Sequence, residues 1–477
     1  MAAALRWGWL APIAALGLLS LWLRPLLPAD ETRYAAIAWE MWRDGQWLVP
    51  QLNGTPYSHK PPLLFWLMHA GWWLFGVNDG WPRLLGVLAA MLSGALTRAL
   101  ALRLFAAAPH IADSAPWLLV GTLYWLGDST MLMFDQLLAA CVLLAWLGVL
   151  RWRDGARGGL ALAALGLGLG LLAKGPLAPL YVLPAFVFAR PPQLSARRAA
   201  AQALLATAAA GALAALWLLP ALHTGGAAYA RALLHDQGVG RLVDAFAHAL
   251  PGWWYLAILP LLGLPWSLAP RCWRALGAAL RAGWRGAPGP RFCTGVAAST
   301  LVALSLVSGK QPHYLLPMFP LLALLLAHGA VEVLDARRTA TLALATAALL
   351  ALLFVAVAPR VFARFDLRAV SRVVAAEQAR REVAFAGVYR GQFTFAGRLR
   401  RPLPTLSRAQ VRAWLRQHPQ ALVIGEIDAA DGSEAHAAVA IWPYRSRHFA
   451  AWTAASLARV PEALPGDAAQ TVNQGDR

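Results

Sequence analysis

Residues 28–73 read PADETRYAAIAWEMWRDGQWLVPQLNGTPYSHKPPLLFWLMHAGWW. Between Glu31 and Trp42, the apolar residues Tyr34, Ile37, Ala38, Met41 and Trp42 recur at the spacing of one helical face. Asp30 stands where an N-cap belongs. The segment is too short and too charged to cross a bilayer, so the expectation is a helix lying in the membrane interface with Trp42 dipping inward. After Pro61 and Pro62 a second short helix is expected over Leu63 to Phe75, with Phe65, Trp66, Trp72 and Trp73 as interfacial aromatics. Asp30, Glu31, Arg33, Glu40, His59 and Lys60 are thus set into an amphipathic stretch between apolar surroundings, where an enzyme acting on a lipid phosphate needs its charges.

The surroundings are those of a membrane protein. Of 477 residues, 59% are hydrophobic and 14% charged, and apolar runs repeatedly approach the roughly 20 residues that span a bilayer. The fold class expected is a polytopic α-helical membrane protein of about eleven spans, with interfacial helices in its first outer loop and a small C-terminal α/β domain. Trp7 to Leu23 is read as a retained first span, because Leu-Arg-Pro is a poor cleavage site. The net charge of +19 is explained by insertion. Arg6, Arg98, Arg103, Arg151, Arg153, Arg190, Arg197, Arg198, Arg271, Arg274, Arg337 and Arg338 sort to one side, and the positive-inside rule makes that side cytoplasmic. Nucleic acid is therefore not an expected partner. The N-terminus is expected inside and the C-terminal domain outside. Cys141, Cys272 and Cys293 have no metal-ligand spacing and read as small buried hydrophobes.

The expected organisation is a membrane domain over 1–358, including a first outer loop at 24–80, then an α/β domain over 359–462 and a disordered tail over 463–477. A long outer loop is read at about 221–251. In the α/β domain a helix is expected over Asp366 to Arg381 with Val370, Val373 and Val374 on one side. Strands are expected over Val383 to Tyr389, Ala421 to Ile427 and Ala438 to Trp442. Ser407 to Gln410 reads as a capping box opening a further helix.

Several residues carry candidate chemistry. Only three of the 42 basic residues are lysine: Lys60, Lys174 and Lys310. Each stands just before a proline at the outer end of an expected span. A compact ammonium suits a phosphate as a point charge, while snorkelling at span ends also explains Lys174 and Lys310. Asp30 and Glu31 stabilise a helix N-terminus or serve chemistry, Asp30 as a base. Asp135 lies deep in an apolar run, where carboxylates are functional candidates by default, and Asp128 reads as a loop neighbour. Arg241 and His248 in the long outer loop, and Tyr314 after Lys310, are candidate contacts of an anionic headgroup. His59 is a candidate metal ligand with no second ligand at suitable spacing.

At these residues the chain resembles a known family. Asp30-Glu-Thr-Arg-Tyr-Ala, Trp47-Leu-Val-Pro-Gln-Leu-Asn-Gly and Tyr57-Ser-His-Lys-Pro-Pro-Leu-Leu-Phe-Trp resemble the first outer loop of the ArnT-like lipid-dependent glycosyltransferases, bacterial relatives of the protein O-mannosyltransferases within the C-type glycosyltransferase superfamily. Leu172-Ala-Lys-Gly-Pro, Gln237-Gly-Val-Gly-Arg241, Pro251-Gly-Trp-Trp-Tyr and Ser308-Gly-Lys-Gln-Pro-His-Tyr-Leu-Leu-Pro fit the same pattern in order. The resemblance covers most of residues 30–330 and implies a bacterial inner-membrane enzyme. It would move a sugar from a polyprenyl phosphate donor to a lipid, glycan or protein acceptor at the periplasmic face. By motif position Asp30 is the catalytic carboxylate, Asp135 the second acidic residue, Lys60, Arg241 and Tyr314 phosphate contacts, and Tyr57 part of the donor site. His59 stands where the aminoarabinose transferases have a metal-site Glu, which puts a divalent metal, and aminoarabinose as the sugar, in question. The reading from another class is a flippase for a lipid-linked sugar. It requires a midplane site and repeat-related broken helices, whereas the polar groups here gather toward one face and no repeat is visible.

Overall fold

The computed structural model describes residues 2–234, 250–330, 335–460 and 464. The chain divides into two compact units. One comprises Met1–Ser20 with Ser58–Leu353, the other Leu21–Tyr57 with Phe354–Arg477.

The first unit is helical. Among the described residues, five helices are long and apolar enough to cross a membrane: Gly80–Leu104, Phe134–Arg153, Ala196–Leu234, Pro312–Gly329 and Ala336–Val357. Leu10–Leu23, Leu63–Phe75, Gly159–Lys174 and Leu177–Phe188 are shorter apolar helices. This makes the chain a polytopic helical membrane protein. Residues 110–128 hold two short helices, His110–Val120 and Leu123–Asp128. The loop expected from residue 221 begins later. Helix Ala196–Arg231 continues past Pro220 and kinks at Gly226, whose φ of 75° breaks the helical ladder.

One pair of helices positions the chemistry. Phe134–Arg153 and Gly159–Lys174 form an antiparallel hairpin. A Cβ at Gly148 would fall 2.2 Å from the Ala163 backbone nitrogen, and one at Gly166 would fall 2.4 Å from that of Ala145. Glycine lets the two backbones touch, as small residues do between helices in a bilayer. Residues at the start of the first helix and the end of the second are thereby brought to the same open end.

Helix Leu63–Phe75 also lies in this unit. Trp72, read as an interfacial aromatic, is 1% exposed, and its indole donates to the Asn78 carbonyl at 2.9 Å. Trp73 is exposed.

The second unit is built on a five-stranded mixed sheet. Its strands are β3 (Val383–Ala386), β4 (Thr405–Leu406), β5 (Leu422–Ile427), β6 (Ala440–Tyr444) and β7 (Arg447–Trp452), in the order β4-β3-β5-β7-β6. β3 pairs in parallel with β4 and β5, and β7 is antiparallel to β5 and β6. Alternate residues feed two cores. Val383, Phe385, Leu422 and Ile424 pack with Val370 and Val374 of helix Arg368–Gln378. Ala384, Ala386, Val423 and Ile427 pack with Val411 and Leu415 of helix Gln410–Gln417. Three layers result. β4 and β7 were not foreseen, and β6 is shifted two residues from its expected start. Val373, grouped with Val370 and Val374 by spacing, points outward at 36% exposure, because the buried stripe runs Leu367, Val370, Ser371, Val374, Gln378.

Residues 21–57 belong to this unit. Helix Asp30–Arg43 is buried at Tyr34, Ala35, Ala36, Ile37, Ala38 and Met41. Trp39 and Arg43 both donate to the Leu399 carbonyl, at 3.0 and 3.1 Å. Then β1 (Gln51–Leu52) and β2 (Thr55–Pro56) form a hairpin around Asn53-Gly54. Both turn residues take positive φ, 54° and 75°, which is the Asn-Gly signature of a type I′ turn. The Asn53 side chain exchanges two hydrogen bonds with the Leu403 backbone, at 2.9 and 2.8 Å, and Glu40 accepts from the Asn53 and Gly54 amides at 2.8 and 2.9 Å. The expected interfacial helix, with Trp42 as its inward anchor, is therefore packed within an α/β unit and buried on more than one face.

Candidate functional site

In the helical unit the glycine-seamed hairpin decides the geometry. Asp135 opens its first helix and Lys174 closes its second, so residues 39 positions apart meet as an ion pair. Their side chains are 2% and 3% exposed. A buried pair requires further polar support to offset its desolvation. His313 and Lys60 supply it from within electrostatic reach of Asp135. The Lys174 ammonium sits 4.7 Å from the centre of the Tyr314 ring, and the Lys60 ammonium 5.7 Å from that of Phe134, both within cation–π range. Tyr181 donates to the Tyr314 carbonyl at 2.7 Å. One carboxylate thus stands among two lysines and a histidine. A site with that balance is suited to an anion.

Lys310, grouped with the other lysines by sequence, is buried and donates to the Val307 carbonyl at 2.7 Å. Its neighbour Gln311 donates its amide to the Tyr255 hydroxyl at 3.3 Å. The bond made by Lys310 secures a chain turn.

In the α/β unit the paired acids separate into two roles. Glu31 is 2% exposed. It binds Arg24 through both oxygens, at 2.5 and 2.9 Å, and accepts the Leu27 amide at 2.6 Å. Those bonds anchor the start of helix Asp30–Arg43. Asp30 is the first residue of that helix, with Ala29 in the cap position and no side-chain capping bond, which corrects the expected N-cap. Its carboxylate instead pairs with Arg33 at 2.5 Å while its side chain stays 48% exposed. Burial works against the Arg33 charge, but Tyr57, Asp30 and Tyr34 together hold its pKa above the ordinary arginine value. Tyr57 is itself buried.

His59 is exposed, and among the described residues no three His, Cys, Asp or Glu side chains cluster as a metal site requires. Arg241 and His248 lie outside the described residues.

No family model matches the chain. It is 34% identical over 317 residues to the undecaprenyl phosphate-alpha-4-amino-4-deoxy-L-arabinose arabinosyl transferase of Edwardsiella ictaluri, covering 64% of this chain and 55% of the relative. A Pseudomonas fluorescens protein of the same name is 30% identical over 389 residues, 76% of this chain and 66% of the relative. Against solved structures, ArnT of Cupriavidus metallidurans bound to undecaprenyl phosphate superposes with a TM-score of 0.75 over 94% of this chain and 98% of that one, at 17% identity. By sequence and by fold, the chain is an ArnT homologue. The archaeal oligosaccharyltransferase AglB of Archaeoglobus fulgidus shares the fold more distantly, with a TM-score of 0.54 at 12% identity over 88% of this chain and 70% of that one. The chain spans little more than half the length of the first ArnT relatives it matches.

Several site neighbours escaped the sequence reading. His313 was legible only as the residue beside Tyr314, and Tyr181 as one aromatic of an apolar helix. Phe134 and Glu40 gave no signal apart from lying beside Asp135 and within the amphipathic stretch.

Proposed function

We propose that the chain transfers a sugar from a polyprenyl phosphate donor to an acceptor at the periplasmic face of the bacterial inner membrane. The observation that carries this reading is the cationic surround of Asp135, built from Lys60, Lys174 and His313 in the helical unit of an ArnT homologue. The name of the relatives supports an undecaprenyl phosphate-linked sugar as the donor.

In this reading Lys60, with Arg241 from its motif position, takes up the charge that develops on the departing phosphate. Asp135 orients Lys174 and sets the charge balance. Tyr314 holds the Lys174 ammonium against its ring. Asp30 is the group we assign to the acceptor. As the acceptor oxygen bonds to the anomeric carbon, the bond from that carbon to the phosphate oxygen breaks. The electron pair leaves with polyprenyl phosphate, and the acceptor proton passes to the Asp30 carboxylate. A single displacement inverts the anomeric centre. Glu31 is the positioning residue that fixes the turn preceding Asp30. We place the N-terminus in the cytoplasm, about eleven spans across 1–358, the loop at 24–80 and the α/β domain over 359–462 outside.

The test uses purified full-length protein with labelled polyprenyl phosphate sugars and a membrane-lipid extract. Release of polyprenyl phosphate by the wild type and its loss in Asp30→Asn is the expected result. Intact donor in both, still tightly bound, would move the assignment to a flippase. A product that keeps the donor's anomeric configuration would rule out single displacement.

A further inference from the structure

Helix Pro270–Trp284 sits at the end of the helical unit opposite the Asp135–Lys174 pair. Helix Phe134–Arg153 starts beside that pair and has 20 residues, which carries it roughly 30 Å to its far end, about the depth of a bilayer's hydrocarbon core. There Arg153 donates to the Arg103 carbonyl at 3.3 Å, so helix Gly80–Leu104 ends at the same level. A Cβ at Gly289, where helix Pro288–Leu306 begins, would fall 2.6 Å from the Leu104 carbonyl oxygen. A Cβ at Gly283 would fall 2.9 Å from the Pro290 carbonyl oxygen, and one at Gly329 would collide with the Ala275 carbonyl. Helix Pro270–Trp284 is thus pressed against the far ends of its neighbours through its buried stripe of Cys272, Ala275, Ala279 and Gly283.

The rest of its circumference divides in two. At about 100° per residue, Trp273, Leu276, Leu280 and Trp284 fall within an arc of roughly 80°, and Arg271, Arg274, Arg281 and Arg285 within another of similar width centred about 140° away. All four arginines and both tryptophans are exposed, Trp284 at 84%. Separate apolar and basic arcs suit a helix lying in a membrane interface, with its apolar side at the acyl boundary and its charges at the headgroups.

Among the described residues this positive charge has no counterpart. No Asp or Glu occurs from residue 245 to residue 331. Asp113, Asp154 and Asp335, the described carboxylates at this end of the bundle, pair with Arg98, Arg103, Arg153 and Arg338. Insertion calls for positive charge on one side of the membrane, but it does not confine that charge to one arc of a helix. The helix dipole favours cations at a C-terminus, which accounts for Arg281 and Arg285, and disfavours them in the first turn. Arg271 stands in that first turn with no acidic residue beside it. An anion from outside the protein resolves the conflict.

We propose that helix Pro270–Trp284 binds anionic phospholipid at the membrane face opposite the Asp135–Lys174 pair. The arginine arc takes up headgroup phosphates, to which guanidinium presents paired donors. Trp273 and Trp284 lie where the acyl chains begin. Lipid bound there holds the far end of the bundle to its leaflet and stabilises the native protein by mass action.

The test is native mass spectrometry of the full-length protein in neutral detergent, titrated separately with phosphatidylglycerol and phosphatidylcholine, with melting temperature followed in the same mixtures. The wild type is expected to prefer phosphatidylglycerol and to melt higher with it. Arg271→Gln/Arg274→Gln and Arg281→Gln/Arg285→Gln are expected to weaken phosphatidylglycerol binding about fivefold for each arginine removed, and to leave phosphatidylcholine binding unchanged. Trp284→Ala is expected to weaken both lipids alike. Arg400→Gln/Arg416→Gln, the same loss of exposed charge in the α/β unit, is expected to change neither. Each double variant is read against its own lipid-free melt, and the other stands in where one fails to fold. The proposal is overturned by a wild type without preference between the lipids, by arginine variants that bind phosphatidylglycerol as the wild type does, or by an equal loss in Arg400→Gln/Arg416→Gln. Displacement of phosphatidylglycerol by inorganic phosphate at constant ionic strength overturns it too, because the face is then a soluble-anion site. Dimerisation abolished by the same substitutions does so as well, by making the face a contact between copies.

Discussion

Adjacent acids on one helix end up with opposite energetics. Glu31 is enclosed with Arg24 and an amide, so removing its charge leaves a buried guanidinium without its counter-ion. Glu31→Gln is expected to lower stability by about 3–5 kcal/mol, read as a fall in melting temperature in detergent. Asp30 is half exposed and its pair with Arg33 is a surface-type bridge, worth about 0–1 kcal/mol. Asp30→Asn is therefore expected to melt near the wild type while donor release is lost. A stable Glu31→Gln, or an Asp30→Asn that unfolds, would reverse the two roles. Asp135 combines both properties. Asp135→Asn is expected to cost about 3–5 kcal/mol and to lower turnover as well. The double variant Asp135→Asn/Lys174→Met is expected to regain stability without regaining activity, because it removes the buried charge but not the need for it.

At the scale of elements, the hairpin of Phe134–Arg153 and Gly159–Lys174 is what brings Asp135 to Lys174. Its seam has no room for a side chain at Gly148 or Gly166. Gly166→Val is expected to push the helices apart and destabilise by about 1–3 kcal/mol through overpacking, with loss of donor binding disproportionate to the loss of stability. A thermal melt alongside a donor-binding assay checks this. Unchanged donor affinity would mean that the ion pair tolerates a displaced hairpin. The β1–β2 hairpin is set differently, by its turn. The Asn53-Gly54 pair fixes the turn, while the two hydrogen bonds from Asn53 to Leu403 join segments 350 residues apart and leave no local trace in the sequence.

For the whole molecule, the surprise is that residues 21–57 share a compact unit with the C-terminal chain. The C-terminal part is thus support for helix Asp30–Arg43 as well as a fold of its own. Truncation after Pro359 removes the Leu399 and Leu403 backbone groups that hold Trp39, Arg43 and Asn53. It is expected to abolish donor release and to open the Arg33–Arg43 region to trypsin. A truncated chain with full activity and unchanged proteolysis would show that the helix stands without this support.

Hydrophobic run length is a property of local sequence, and it sufficed for a polytopic helical membrane protein. The ordered motifs around Asp30, Lys60, Lys174 and Tyr314 sufficed for the ArnT resemblance. The order of the sheet, with β7 inserted between β5 and β6, was not legible, because short strands such as Thr405–Leu406 are made by their pairing and carry no periodicity of their own. Nor were the partners of the charges. Asp30 and Glu31 are neighbours with one residue type's difference, yet burial separates them, and burial is decided by what the rest of the chain lays against each. The same holds for helix Pro270–Trp284: its arginines were legible as positive charge, and only the packing of Ala275 and Gly283 against neighbouring helices decides which arc is left exposed.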